Sequence, residues 1–364
     1  MKKINLALLS LLLLGSCYFN EEPIEDNSPW PYVQPEEIGQ DEVVLLDLNN
    51  AAAGRAFDRV TGIIAVQDGQ LFFENYYLGI SRGSLRPLST ASMSVLSLLV
   101  GVAIEEGFID SVETTIDVFY PNKPEIFDQE PLKASITIEH LLTMQSGIAW
   151  YENGVPILNS NNSINGLERS SDWLDYILQT DLDAAPGLRY SYNSAHGLIL
   201  ADILAKASGQ SFQEFAQQYL FSPLNIKEVA WELDPAGNVN AGYGLSMTLI
   251  DFTKLGYLLL QEGDWFGKRI VDASWVDYLR SRKVQIDSFN DYAASWWLFS
   301  EFTTFTNSFI ENDIYYAEGA GGQYLFVVPH ADLVVGVMAE NYLENRFVPL
   351  VILRDYFSTI TGNQ

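Results

Sequence analysis

Apolar and polar positions alternate through residues 60–77 and break once, at Asp68-Gly69. That rhythm predicts a hairpin of strands 61–67 and 70–77 joined by a type I′ turn. Through residues 95–104 the alternation gives way to a run that is apolar almost all round, the pattern of a helix buried inside a domain. Pro87 lies just before its start, Ser89 or Thr90 can serve as its N-cap, and Gly107 is a C′ stop. Residues 116–121 read as a loop entering a helical region. In residues 136–147, Thr137 caps a short helix, Leu141 and Leu142 pack inward and Gly147 closes it; His140 is exposed by period and reads as a surface histidine. Residues 173–178 make a short amphipathic helix, a further helix ends at Ser208-Gly209, and Thr248 caps another. Gly263 and Gly267 mark a hairpin-like loop. The last third is strand-rich, with strands at 292–298 and 313–317, a central hairpin of 323–329 and 332–339, and a closing helix at 348–360. Strands at both ends with helices between them predict an α/β class of α+β sandwich type. One antiparallel sheet is built from both ends of the domain, flanked by helices, with a mainly helical insert.

Of the 364 residues, 48% are hydrophobic, ample for a large core. A formal net charge of −27 argues against nucleic acid or anionic lipid as a direct partner. The N-terminus carries an export pattern: Lys2 and Lys3, then an apolar stretch 4–14 too short to span a bilayer. Leu14-Gly15-Ser16-Cys17 resembles a bacterial lipobox, which implies lipidation at Cys17 and removal of what precedes it. Cys17 is the sole cysteine, so an internal disulfide is impossible. Residues 18–45 are rich in acid and proline and are expected to be an extended tether. The expected address is therefore the bacterial cell envelope, outside the cytoplasm, with the membrane a partner only through the lipid anchor. The domain is expected over 46–362, with its sheet region at about 46–85 and 245–362 and its helical region at about 86–244.

Several motifs coincide with one family. The run Gly101-Val102-Ala103-Ile104-Glu105-Glu106-Gly107 ends the buried helix, and Thr90-Ala91-Ser92-Met93-Ser94 opens it. Ile136-Thr137-Ile138-Glu139-His140-Leu141-Leu142, Phe221-Ser222-Pro223-Leu224-Asn225-Ile226 and Pro186-Gly187 followed by Tyr192-Asn193-Ser194 lie between. Ala317-Glu318-Gly319-Ala320-Gly321-Gly322-Gln323-Tyr324 closes the series. Together they resemble the serine β-lactamase and penicillin-binding-protein family, in its class C and esterase-like branch.

That resemblance implies acyl transfer through a covalent acyl-enzyme on an ester or amide, with no cofactor and no metal. A hydroxyl attacks, a lysine one turn along the helix and a tyrosine move the proton, and a glycine-lined strand offers an N–H to the oxyanion. Counting back from Gly101 without a gap puts the family serine at Thr90 and the family lysine at Met93. The tyrosine falls on Tyr192. Ser194, Ala317, Gly319, Gly321 and Gly322 fall on the substrate and oxyanion positions.

Both departures bear on the chemistry. Threonine keeps a hydroxyl, but its methyl stiffens χ1 and crowds the attack path. Methionine neither accepts nor donates the proton, and such general-base help is worth about 10² to 10⁴ in rate. Two readings follow. One is an impaired family member that binds a small molecule, a peptide or a cell-wall fragment. The other is an active esterase or peptidase-like hydrolase using Thr90 with Tyr192.

Overall fold

The computed structural model describes residues 28–156, 159–300 and 313–357. Cys17 and the export pattern lie outside them.

The hairpin forms as the alternation requires: β1 (Val60–Gln67) and β2 (Gln70–Tyr76) meet at Asp68 and Gly69, with φ of 50° and 68°, both values a type I′ turn needs. The remaining strands of the main sheet are β3 (Val284–Gln285), β4 (Asn290–Tyr292), β5 (Trp297–Phe299), β6 (Tyr315–Gly319), β7 (Gln323–Val328) and β8 (Leu333–Ala339). They assemble in the order β2-β1-β8-β7-β6-β5-β4-β3, each neighbour antiparallel. The first hairpin pairs with the last strand of the chain, Ile63 opposite Val337 and Ala65 opposite Val335. One sheet is thus built from both ends, as the strand pattern predicts, and the antiparallel sheet and its helices make the α/β fold.

Side chains alternate between two cores. Ile64 and Val66 face one, with helices α2 (Ser92–Glu105), α5 (His196–Ser208) and α6 (Leu249–Leu260). Ile63 and Ala65 face the other, with α1 (Glu42–Ala53) and α7 (Val348–Ile352). Helix α2 is buried from Ser92 through Ala103, so it must satisfy its own serines. Ser94 Oγ donates to Ser295 O at 2.6 Å, Ser97 Oγ donates to Ser94 O at 2.7 Å, and Ser97 Oγ accepts from Trp296 Nε1 at 3.1 Å. Gly107, with φ 75°, ends the helix as expected.

Several expectations are corrected. Residues 28–45 are not an extended tether. Trp30 is buried against Tyr257 and Trp265, Tyr32 bridges to Leu71, and Asp41 caps α1 by accepting from Val43 N–H at 2.8 Å. The folded part therefore begins well before residue 46. No side chain caps α2, because a 3₁₀ turn, Ser89–Ala91, precedes it. Residues 292–298 form no single strand: β4 and β5 are separated by a turn in which Ser295 has φ 65° and donates its N–H to Leu142 O at 2.9 Å. Helix α3 (Ile138–Leu142) ends at Thr143, before Gly147. His140 is half-buried, and its Nδ1 accepts from Thr137 N–H at 3.1 Å to complete a capping box. At the C-terminus, α7 gives way to a π-helical turn, Leu353–Phe357, and the rest of the expected closing helix lies outside the described residues.

Candidate active site

The opening turn of α2 is held by a short strand. Arg86 pairs with Met247, and Leu88 N–H donates to Leu245 O at 2.8 Å. Ser89 then takes φ 50°, a left-handed conformation that costs a non-glycine residue about 1–2 kcal/mol. Ser92 Oγ pins the turn, donating to Ser89 O at 2.6 Å and accepting from Leu245 N–H at 3.3 Å. The bend leaves Thr90 half-buried at the elbow, its hydroxyl donating to Glu318 O at the end of β6 at 3.4 Å, with Tyr192 its neighbour. Three separated parts of the chain therefore meet at Thr90. Met93 follows one turn later and is buried. The neighbouring serines 92, 94 and 97 are committed to backbone carbonyls. The buried Lys254 belongs to Asp251 Oδ1 at 2.7 Å and Asn225 O at 3.2 Å.

The loop that carries Tyr192 is clamped from below. Gly187 N–H donates to Gln145 O and Ser191 N–H to Met144 O, each at 2.8 Å. Asn193 N–H lies 3.4 Å from Met144 Sδ, and Asn193 Oδ1 accepts from Ala195 N–H at 3.0 Å. Ser194 is fully buried and turned to Glu152, whose Oε2 accepts from its N–H at 2.9 Å and its hydroxyl at 2.8 Å. That commitment makes Ser194 a brace for the tyrosine loop and takes its hydroxyl away from a ligand. Trp150 Nε1 donates to the same oxygen at 2.9 Å. The sequence offers no motif that singles out Glu152; only its position shortly after Ser146-Gly147 could have drawn attention to it.

The electrostatics have one sign. Burial pushes the Tyr192 phenol well above its ordinary range, and Tyr292, Glu152 and Tyr190 push the same way; only the neighbouring Thr90 opposes them. Tyr190 is raised by burial, then by Tyr292, Glu318 and Glu152. Glu152 is itself raised by desolvation against three lowering hydrogen bonds. Among the described residues, none of the groups acting on these two phenols is cationic.

At the far wall, the end of β6 lies against the elbow. A Cβ on Gly319 would sit 2.1 Å from Leu88 O, so only glycine permits this approach. Ala317 faces the α2 core, whereas Glu318 is half-buried on the opposite face, across the ladder from Tyr324 with Arg346 nearby. Gly321 and Gly322, with φ of 91° and 93°, make the turn into β7. Between them and Gly319, Ala320 is exposed, and its N–H has no partner among the described residues. Ala320 is the residue the sequence reading passes over. The signal for it was its place just beyond the strand end between glycines.

A two-ended antiparallel sheet, a buried helix that opens on a hydroxyl, and a tyrosine and a glycine-lined strand converging on that hydroxyl define an acyl-transfer hydrolase scaffold. Residues 56–350 match the Beta-lactamase family model, and the chain belongs to that family. It is similar to the 6-aminohexanoate-dimer hydrolase of Paenarthrobacter ureafaciens, 22% identical over 75% of this chain and 70% of that protein. It is also similar to penicillin-binding protein 4* of Bacillus subtilis, 25% identical over 46% of this chain and 36% of that one. Among solved structures, the fold matches a putative 6-aminohexanoate-dimer hydrolase from Bacillus anthracis with a TM-score of 0.69, 20% identical over 85% of this chain and 80% of that one. EstCE1, a hydrolase with promiscuous acyltransferase activity, matches with a TM-score of 0.70, 17% identical over 88% and 99%.

Proposed function

We propose that this chain keeps the family's pocket as a ligand-binding site and has lost most acyl-transfer activity. The observation that carries the reading is the setting of Tyr192, which neighbours Thr90 but, among the described residues, no cation, with a buried thioether one turn along the helix. A phenol held neutral by burial and by acidic neighbours does not take a proton from a hydroxyl near neutral pH. Losing that help costs about 10² to 10⁴ in rate. Relatives named as a dimer hydrolase, a penicillin-binding protein and a promiscuous acyltransferase support a small acyl compound, peptide or cell-wall fragment as ligand. The lipobox-like Leu14-Gly15-Ser16-Cys17 supports anchoring in the cell envelope through Cys17; recovery of a Cys17→Ser variant in the same membrane fraction as the unaltered chain would refute it.

A second reading has its own observation. Tyr192 neighbours the Thr90 hydroxyl, the placement an active threonine would need, so slow hydrolysis of an undemanding ester is the rival. A fluorophosphonate probe followed by intact mass separates the two. The binding reading expects no adduct; labelling at Thr90 supports the hydrolase. Thr90→Ser combined with Met93→Lys is expected to raise hydrolysis of a nitrophenyl ester by about 10² or more, because the elbow, Tyr192 and the β6 wall are in place. If the double variant gains nothing, the remaining site is not competent and the reading of an intact pocket falls.

A further inference from the structure

Beside Tyr192, the neighbour of Thr90, stands a group of aromatic rings. Tyr192 and Trp297 lie nearly parallel, 18° apart with centroids at 6.3 Å. Tyr292 stands edge-on to Trp297 at 4.9 Å and to Tyr192 at 6.4 Å, and Tyr190 stands edge-on to Tyr292 at 5.5 Å. Tyr190, Tyr192 and Trp297 are half-buried, so part of each reaches solvent. The Tyr190 hydroxyl is buried with no hydrogen-bond partner among the described residues.

Glu152 completes the set. Its Oε2 is saturated by Trp150 Nε1, Ser194 N–H and Ser194 Oγ, while Oε1 takes no hydrogen bond among the described residues. It grips Ser194, two residues beyond Tyr192, and its charge raises the phenols of Tyr190, Tyr192 and Tyr292. Aromatic faces attract cations through their quadrupole, and a carboxylate with a spare oxygen does so through its charge. Met93 puts a buried, uncharged thioether one turn beyond Thr90, at the position where the family resemblance implies an ammonium. A net charge of −27 draws cations towards the molecule and repels anions.

We propose that this pocket recognises its ligand through an alkylammonium group, seated between the open oxygen of Glu152 and the rings of Tyr190, Tyr192 and Trp297, which Tyr292 backs from within. The inference rests on the reading of the site as a binding pocket, and names the chemistry of what it binds.

The test uses three probes of one chain length on the full chain at fixed pH and ionic strength: n-hexylammonium, 1-hexanol and hexanoate, read by tryptophan fluorescence and calorimetry. Hexylammonium is expected to bind at least tenfold more tightly than hexanol, and hexanoate more weakly than either. Glu152→Gln keeps an acceptor oxygen for the three donors, so the tyrosine loop stays braced. It is expected to bring hexylammonium down to the affinity of hexanol and to leave hexanol unchanged. Met93→Lys puts a like charge into the pocket and is expected to weaken hexylammonium tenfold while improving hexanoate. Equal affinity for hexylammonium and hexanol, tighter binding of hexanoate, an unchanged preference in Glu152→Gln, or no saturable binding of any probe overturns the inference. Fluorophosphonate labelling in the same preparation overturns the non-catalytic reading instead, and leaves the charge preference to be decided by the three affinities.

Discussion

His196 opens α5 with its imidazole fully buried. Leu141 O lies 3.0 Å from Nδ1 and can only accept, so Nδ1 carries the proton; Ser146 then donates its hydroxyl to Nε2 at 2.8 Å. Burial holds this histidine down to about 4, whereas an unfolded histidine titrates near about 6.5. Between those values the unfolded chain binds a proton that the native state excludes. The contribution is therefore complete above the unfolded value and is lost as pH falls towards the folded one, to a depth of about 3 kcal/mol. Urea midpoints measured from pH 7.5 down to 4.5 should fall along this range. In His196→Gln, which is less stable throughout, that part of the slope should flatten. An unchanged slope in the variant would assign the acid sensitivity to other groups. The histidine also bears on the site, because it ties α5 to the Leu141–Ser146 segment on which the Tyr192 loop is clamped.

Among the elements, α2 was the one most open to reading from sequence, since a run apolar on every side has nowhere to go but inside. Its packing sets a sharp test. A Cβ on Gly101 would lie 2.2 Å from the indole of Trp275, whose Nε1 donates to Ser97 O at 3.0 Å. Alanine gains up to about 1 kcal/mol over glycine in helix propensity. Overpacking costs about 1–3 kcal/mol, and displacing the indole also breaks its hydrogen bond. Gly101→Ala should therefore lower the thermal midpoint, and pairing it with Trp275→Leu should recover part of the loss. The first hairpin was equally legible, because Asp68-Gly69 dictates the turn locally. What the sequence concealed depends on distant partners. The elbow before α2 is a 3₁₀ turn because residues 245–247 hold it. Residues 292–298 break into two strands because Leu142 O captures Ser295 N–H. Ser194 matches a motif position, yet it is turned inward by Glu152, a residue with no motif of its own.

For the whole molecule, the two-sided sheet followed from strands at both ends of the chain, but the extent of the domain did not. Acid and proline made residues 18–45 read as a tether, and composition averages over the few residues that dock. Trp30 is 3% exposed, edge-on to Tyr257 at 5.5 Å and to Trp265 at 6.4 Å, and Leu45 and Leu48 of α1 enter the second core. This segment covers the sheet edge at β2, where Val33 N–H donates to Leu71 O and Leu71 N–H to Pro31 O, both at 3.0 Å. The carboxylates of this segment repel the rest of a molecule of net charge −27, so its docking opposes electrostatics and depends on apolar contact. Trp30→Ala should cost about 3–5 kcal/mol if the segment unfolds with the domain. Limited proteolysis should then find cleavage between residues 40 and 55 in the variant at low salt, and slower cleavage at 0.2 M salt as the repulsion is screened over about 8 Å or less. Resistance equal to that of the unaltered chain at both salts would mean that α1 is held by the second core alone, without the tryptophan.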